Sequence, residues 1–263
     1  MTRSVKRPVV RMLNKVPEVT LVFWIIKIMS TTVGETGADY LAVHVGLGTA
    51  ITGALMSALL IAALLLQLRS HRYVPWIYWL TVVLVSVVGT QITDALTDGL
   101  GVSLYVSTAC FGVALAATFA LWYWIERTLS IHTIVTRRRE LFYWAAILFT
   151  FALGTAAGDL ATEALGLGFT LGVVSFGAII AVIAGARYLG ANPVLTFWLA
   201  YILTRPLGAS LGDLLSQART YGGLGLGNVQ TSVVFLSVIV ALVIFVSLGD
   251  DRSTRRAGAG DEP

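Results

Sequence analysis

Apolar residues run along the chain in eight stretches, near 18–44, 49–68, 75–98, 102–125, 141–165, 169–187, 193–216 and 228–248, separated by short polar breaks. Each approaches or exceeds the roughly 20 residues that a helix rising 1.5 Å per residue needs to cross about 30 Å of hydrocarbon. The pattern therefore predicts an all-α integral membrane protein with eight transmembrane helices. Pro17, Pro75 and Pro193 fall at the predicted first turns of helices 1, 3 and 7. A missing N–H costs nothing there, because that donor has no partner inside the helix. Gly-Leu-Gly recurs at 46–48, 99–101, 166–168 and 223–225, each time between an odd helix and the next even one. Glycine supplies the positive φ that a tight helix–helix turn requires.

A second pattern overlies the first. Every odd helix contains Gly-x4-Asp: Gly34 and Asp39, Gly89 and Asp94, Gly154 and Asp159, Gly208 and Asp213. Ten residues before each glycine stands a tryptophan, Trp24, Trp79, Trp144 or Trp198. Four coincidences at fixed offsets mark internal repeats of two helices each. The tryptophans are expected to anchor the interface or pack between helices. The glycines are expected to let backbones approach closely, as small residues do in membrane helix interfaces. Because each repeat has two spans, the four repeats and their odd helices run parallel.

Residues four apart share a helix face, and extending each aspartate by fours reveals a polar stripe. Helix 1 contributes Lys27, Thr31, Glu35 and Asp39; helix 3 contributes Ser86, Thr90, Asp94 and Asp98. Helix 5 adds Thr155, Asp159 and Glu163, and helix 7 adds Arg205, Asp213 and Gln217. The even helices carry no such row, so they are expected to form a sheath around gathered odd helices. An ionisable group at the bilayer centre costs about 2.5–3.5 kcal/mol even on insertion scales, so the aspartates must be paired, hydrated, protonated or occupied. With every acid ionised, the stripe would carry a net charge of −5 after Lys27 and Arg205 are counted. A low-dielectric interior requires protons or bound cations to offset that. The competing structural reading pairs Lys27 and Arg205 with Glu35 and one or two aspartates, and leaves Asp98 and Glu163 in outer water.

Composition agrees with the bilayer: of 263 residues, 57% are hydrophobic and 12% charged, with mean hydropathy +0.83. Soluble domains are about a quarter charged. Cys110 is the only cysteine and His44, His71 and His132 are scattered, which excludes an internal disulfide and disfavours a zinc site. The net charge of +4 says less than its placement. Basic residues fill the N-terminal arm (Arg3 to Lys15), Arg69 and Arg72, Arg127 and Arg137 to Arg139, Arg187 and the tail, whereas the opposite loops hold only Arg219. The positive-inside rule then places both termini in the cytoplasm. The expected organisation is a basic arm at 1–16, repeats at 17–68, 75–125, 141–187 and 193–248, a cytoplasmic linker at 126–140 and a polar tail at 249–263. No cleaved signal peptide is expected, since no small-residue cleavage site follows a short apolar run near the start.

The repeat, the opening Lys15-Val-Pro-Glu-Val-Thr20 and the segment Thr31-Thr-Val-Gly-Glu-Thr-Gly-Ala-Asp39 together resemble a family of bacterial integral membrane proteins. That family consists of four tandem repeats of unknown function, each with two transmembrane segments and a tryptophan. The resemblance implies the architecture and a bacterial cytoplasmic membrane; it implies no activity.

Function is thus read from the stripe. The expectation is a transporter or channel-like carrier of a small cation, a divalent metal such as Mn²⁺ or Mg²⁺, with or without coupled H⁺. Asp39, Asp94, Asp159 and Asp213 would be ligands or proton carriers, Glu35 a contributor, and Lys27 and Arg205 the groups that tune its charge. Oxygen-only ligands suit hard ions, so a bound divalent cation is the one cofactor the residues suggest. The alternatives are a membrane enzyme using carboxylates or a carboxylate-bound metal, and a scaffold whose acids only hold helices together. No Gly-x-Ser-x-Gly, His-Glu-x-x-His or nucleotide-binding loop supports the enzyme reading, and nothing suggests nucleic acid as a partner.

Overall fold

A computed structural model describes residues 14–40 and 48–259, without the side chains of 38, 39 and 250–259. The described chain is helical: α1 (Leu21–Asp39), α2 (Gly48–Arg69), α3 (Pro75–Asp94), α4 (Leu104–Glu126), α5 (Arg137–Asp159), α6 (Gly168–Tyr188), α7 (Pro193–Ser216) and α8 (Asn228–Ala259). Seven of them, α2 to α8, are long and apolar enough to cross a membrane.

The helix ends follow local chemistry. Pro75 and Pro193 open α3 and α7 as expected. Pro17 does not open α1: Thr20 is the N-cap, its hydroxyl accepting from the Phe23 N–H at 3.3 Å, and Pro17 stays in the preceding arm. Helix α5 starts at Arg137 rather than near 141, because Thr136 caps it by accepting from the Arg139 N–H. The arginine run is therefore the first turn of a helix, and the connection ends at 136. Helix α8 runs to Ala259, beyond the expected end near 248. The turns at Gly101 and Gly166 take φ of +67° and +70°, which L side chains adopt only with strain.

The odd helices form a closed ring in which α1 touches α3, α3 touches α5, α5 touches α7, and α7 returns to α1. Most of α3, α5 and α7 is buried, while α2, α4, α6 and α8 leave most of their surface outward. Each even helix leans chiefly on the odd helix of the following repeat: α2 on α3, α4 on α5, α6 on α7, and α8 on α1. Among the described residues the sheath is thus offset by one helix from the repeat boundaries, and α8 completes the circle.

Three contact sets explain why the ring closes. The repeat glycines are seats for the next helix. An added Cβ would lie 1.8 Å from Ser86 Oγ at Gly34, 2.7 Å from Phe151 Cβ at Gly89, 2.5 Å from Arg205 Cβ at Gly154 and 1.7 Å from Thr31 Oγ1 at Gly208. The four residues received are equivalent, each three positions before its own repeat's glycine. Hydroxyls stitch the same seams: Thr32 Oγ1 donates to Gly208 O at 3.0 Å and Thr93 Oγ1 to Ala152 O at 3.1 Å. Third, an aromatic residue precedes each repeat tryptophan, and its ring meets the tryptophan of the next repeat. Ring centroids lie 5.5 Å apart for Phe23 and Trp79, 5.6 Å for Tyr78 and Trp144, 6.2 Å for Tyr143 and Trp198, and 5.7 Å for Phe197 and Trp24. Such pairs contribute about 0.5–1.5 kcal/mol each beyond area burial. Trp79, Trp144 and Trp198 are buried, so of the two expected roles they take the packing one.

At the same end Lys15 is fully buried beneath α2 and α5. Its ammonium donates to Gln67 O at 3.0 Å and Leu68 O at 3.3 Å, and pairs with Glu140 Oε2 at 2.6 Å. The last carbonyls of α2 thereby gain the partner that a helix terminus lacks.

Candidate functional site

Successive layers line the ring axis from the basic end outward. First comes the aromatic girdle, closed at its centre by a 2.6 Å hydrogen bond between the hydroxyls of Tyr78 and Tyr143, both fully buried. Tyr78→Phe is expected to cost about 1–3 kcal/mol by stranding the Tyr143 hydroxyl, whereas Tyr78→Phe with Tyr143→Phe should return near wild type. Thermal unfolding in detergent reads this; equal losses in the single and double variants would contradict it.

Above the girdle lies Lys27. Its Nζ has no hydrogen-bond partner among the described residues and sits over two ring faces, 3.9 Å from the Phe151 centroid and 4.3 Å from that of Tyr201. Cation–π attraction strengthens when, as here, the cation is desolvated. Among the described residues Lys27 thus makes none of the acid pairs of the competing structural reading. Four-residue spacing puts Lys27 on the face of Thr31 and Glu35, but its long stem turns toward rings supplied by α5 and α7.

Arg205 forms the next layer and is fully buried. It donates to Glu35 Oε2 at 2.6 Å, to Thr31 O at 3.2 Å and to Thr90 Oγ1. One guanidinium on α7 therefore binds α1 and α3 across the axis, as its planar fork of donors allows. The Arg205–Glu35 ion pair of the competing structural reading is present. Pro206 follows it within α7, removing one intrahelical donor beside the pair. Thr31, Ser86, Thr90 and Thr155 are all buried here, and Thr155 Oγ1 donates to Phe151 O at 3.0 Å.

The acids form the outer layers. Asp159 on α5 is half-buried and lies within the electrostatic reach of Glu35, Glu163, Arg205 and Asp94. Glu163 in turn feels Asp98 and Glu35. Acids of α1, α3 and α5 thus act electrostatically on one another alongside Arg205. Asp94 and Asp213 are half-buried, Gln217 likewise, and Asp98 and Glu163 are exposed at the outer rim. The side chain of Asp39 lies outside the described residues. Among the described residues no three His, Cys, Asp or Glu side chains come close enough to hold a metal ion. The three described members of the expected set, Asp94, Asp159 and Asp213, therefore do not by themselves form a metal cage.

The backbone changes at this level. Immediately after Asp94 and after Asp159 the α-helix widens into π-helical turns, Ala95–Gly99 and Leu160–Ala164. Leu100 N–H reaches Ala95 O at 3.1 Å and Leu165 N–H reaches Leu160 O at 2.9 Å. Such bulges occur frequently at functional sites. In α7 the helix continues past Asp213 to Ser216 without one. Sequence reasoning missed these bulges and also the aromatic girdle. The girdle's signal was present, since Phe or Tyr precedes every repeat tryptophan at 23, 78, 143 and 197.

Neither the curated proteins nor the solved structures contain a match to this chain. A family model, the Repeat of Unknown Function (DUF347), matches four times in tandem, at residues 22–73, 77–128, 142–190 and 196–248. Each match covers one odd helix and the even helix that follows, the unit that the glycine, aspartate and tryptophan spacing defines, and the chain belongs to this family of tandem repeats of unknown function.

Proposed function

We propose that this protein carries a small cation across a bacterial cytoplasmic membrane, through a path bounded by the ring of odd helices. The observation that carries the reading is the buried Arg205–Glu35 pair on the ring axis, with Asp159 and Asp94 of the neighbouring odd helices within its electrostatic reach. Intramembrane ionisable groups facing a bundle interior mark ion paths and proton relays. Asp94, Asp159 and Asp213, with Asp39 and Glu35, bind the cation or carry protons; Arg205 is a tethered competitor for Glu35, and Lys27 adds a second positive charge behind it. The girdle and these two cations obstruct the axis, which favours a carrier over an open pore. Protons, or a Mg²⁺-like ion that keeps several waters and takes only one or two carboxylates, fit acids that do not form a cage.

Uptake of Mg²⁺, Mn²⁺, Ca²⁺ and H⁺ into liposomes, with Asp159→Asn beside wild type, tests this. Flux of one ion is expected in wild type and at least ten-fold less in Asp159→Asn, with unfolding unchanged. Equal flux in the two proteins would remove Asp159 from the path, and no protein-dependent flux of any of these ions would end the cation reading.

We also propose eight spans with both termini cytoplasmic. Helix α1 supplies the eighth: its 19 described residues reach about 28 Å, and it sits in the ring between α3 and α7. In a Cys110→Ser background, Leu100→Cys should react with an impermeant maleimide added outside intact cells, and Ser70→Cys only after permeabilisation. The reverse pattern would invert the topology.

A further inference from the structure

On the outer side of the ring, at the basic end of the bundle, a cavity of about 690 Å³ opens on the flank of the α1–α7 seam. Its volume lies within the ~300–1,000 Å³ usual for small-molecule sites. Trp24, Ile180, Ile183, Val194 and Phe197 give it apolar walls. Helix α6 forms one side, and α8, which packs on α1, contributes no lining residue. The floor is the segment from Leu129 to His132, and it is fixed in place. Trp198 Nε1 donates to Leu129 O at 3.0 Å, while Arg139 donates to Thr133 O at 3.0 Å and to Glu126 at 2.7 Å.

The lining also contains charges of both signs. Arg187, in the last turn of α6, and His132 are exposed, and so is Glu18 just ahead of α1. None of these three side chains makes a hydrogen bond or ion pair with another described residue. An apolar groove with one cation, one imidazole and one carboxylate at its polar edge complements an amphiphile whose head group carries both signs. Basic pockets between membrane helices on the cytoplasmic side hold lipid phosphates; the carboxylate adds a demand for a positive group.

We infer that this groove binds one phosphatidylethanolamine-type lipid, with its phosphate at Arg187 and His132, its primary ammonium at Glu18 and an acyl chain along Ile180, Ile183 and Phe197. A choline head group has no N–H to donate to Glu18. A glycerol head group has no cation for it and brings a net negative charge to the carboxylate. The inference does not depend on cation transport, because binding is measured without flux.

Native mass spectrometry of the delipidated full chain, titrated separately with phosphatidylethanolamine, phosphatidylglycerol and phosphatidylcholine of identical chains, tests it. One phosphatidylethanolamine is expected to bind at least ten-fold tighter than either of the others. Arg187→Gln should weaken it at least ten-fold, and Glu18→Gln should abolish its advantage over phosphatidylcholine. Both variants should fold, since neither side chain supports another. Equal binding of the three lipids, preference for phosphatidylglycerol, or an Arg187→Gln protein that binds like wild type would each overturn the assignment.

Discussion

Arg205→Met is expected to destabilise the protein by about 3–5 kcal/mol, the usual cost of removing one partner of a buried ion pair. The loss follows from what remains: Glu35, only 12% exposed, is left without its guanidinium partner, and Thr90 loses its donor. Adding Glu35→Gln should recover most of the stability, because replacing both charges strands neither. Unfolding by denaturant in detergent measures this, and a double variant as unstable as Arg205→Met would show that the pair is not the source. The double variant also separates function from support. A stable protein without flux fits the carrier; a stable protein with full flux would leave these charges a purely structural role.

The second large effect is expected at Gly208, where an added Cβ meets Thr31 Oγ1 at 1.7 Å, Thr31 Cβ at 2.6 Å and Ile28 O at 3.1 Å. Thr31 cannot swing aside. Its Cβ, which no side-chain rotation moves, lies 2.6 Å from the new methyl, and its hydroxyl donates to Ile28 O at 2.5 Å. Gly208→Ala should therefore cost at least the roughly 1–3 kcal/mol typical of overpacking, and Gly208→Leu should prevent the α1–α7 seam from closing. Gly185→Ala is the control, with nothing within 4 Å of the new methyl. It should stabilise by roughly 0.5–1 kcal/mol through helix propensity alone. Thr31→Gly should partly rescue Gly208→Ala. If Gly208→Ala melts like wild type, the seat is not as tight as these distances make it.

How much of this was legible in the sequence depended on whether a residue repeats. Glycine, aspartate and tryptophan recur at fixed offsets, so the repeats and the gathering of odd helices could be read directly. What each glycine receives could not: Thr31, Ser86, Phe151 and Arg205 occupy one equivalent position but offer two hydroxyls, a ring and a guanidinium, so no single residue type marks them. The carboxylates of the stripe were identified, but not how they meet. Spacing along one helix is blind to the rings of Phe151 and Tyr201, which α5 and α7 bring to Lys27 from more than a hundred residues away. The offset of the sheath was equally hidden, because α2 adjoins both α1 and α3 along the chain and adjacency alone does not say which of the two it packs on; among the described residues it packs chiefly on α3.

The closing of the ring also sets a schedule for biogenesis. Glu35 and its partner Arg205 are 170 residues apart, which translation at about 5–20 residues per second separates by roughly 10–30 s. During that interval the first helix carries Lys27 and Glu35 without the α7 partners that accommodate them, and without α8 on its outer side. The earliest of the ring helices to emerge is thus among the last to be completed. Until then it relies on the insertion machinery, or on bound water at the edge of the bilayer, for the company that the finished ring provides.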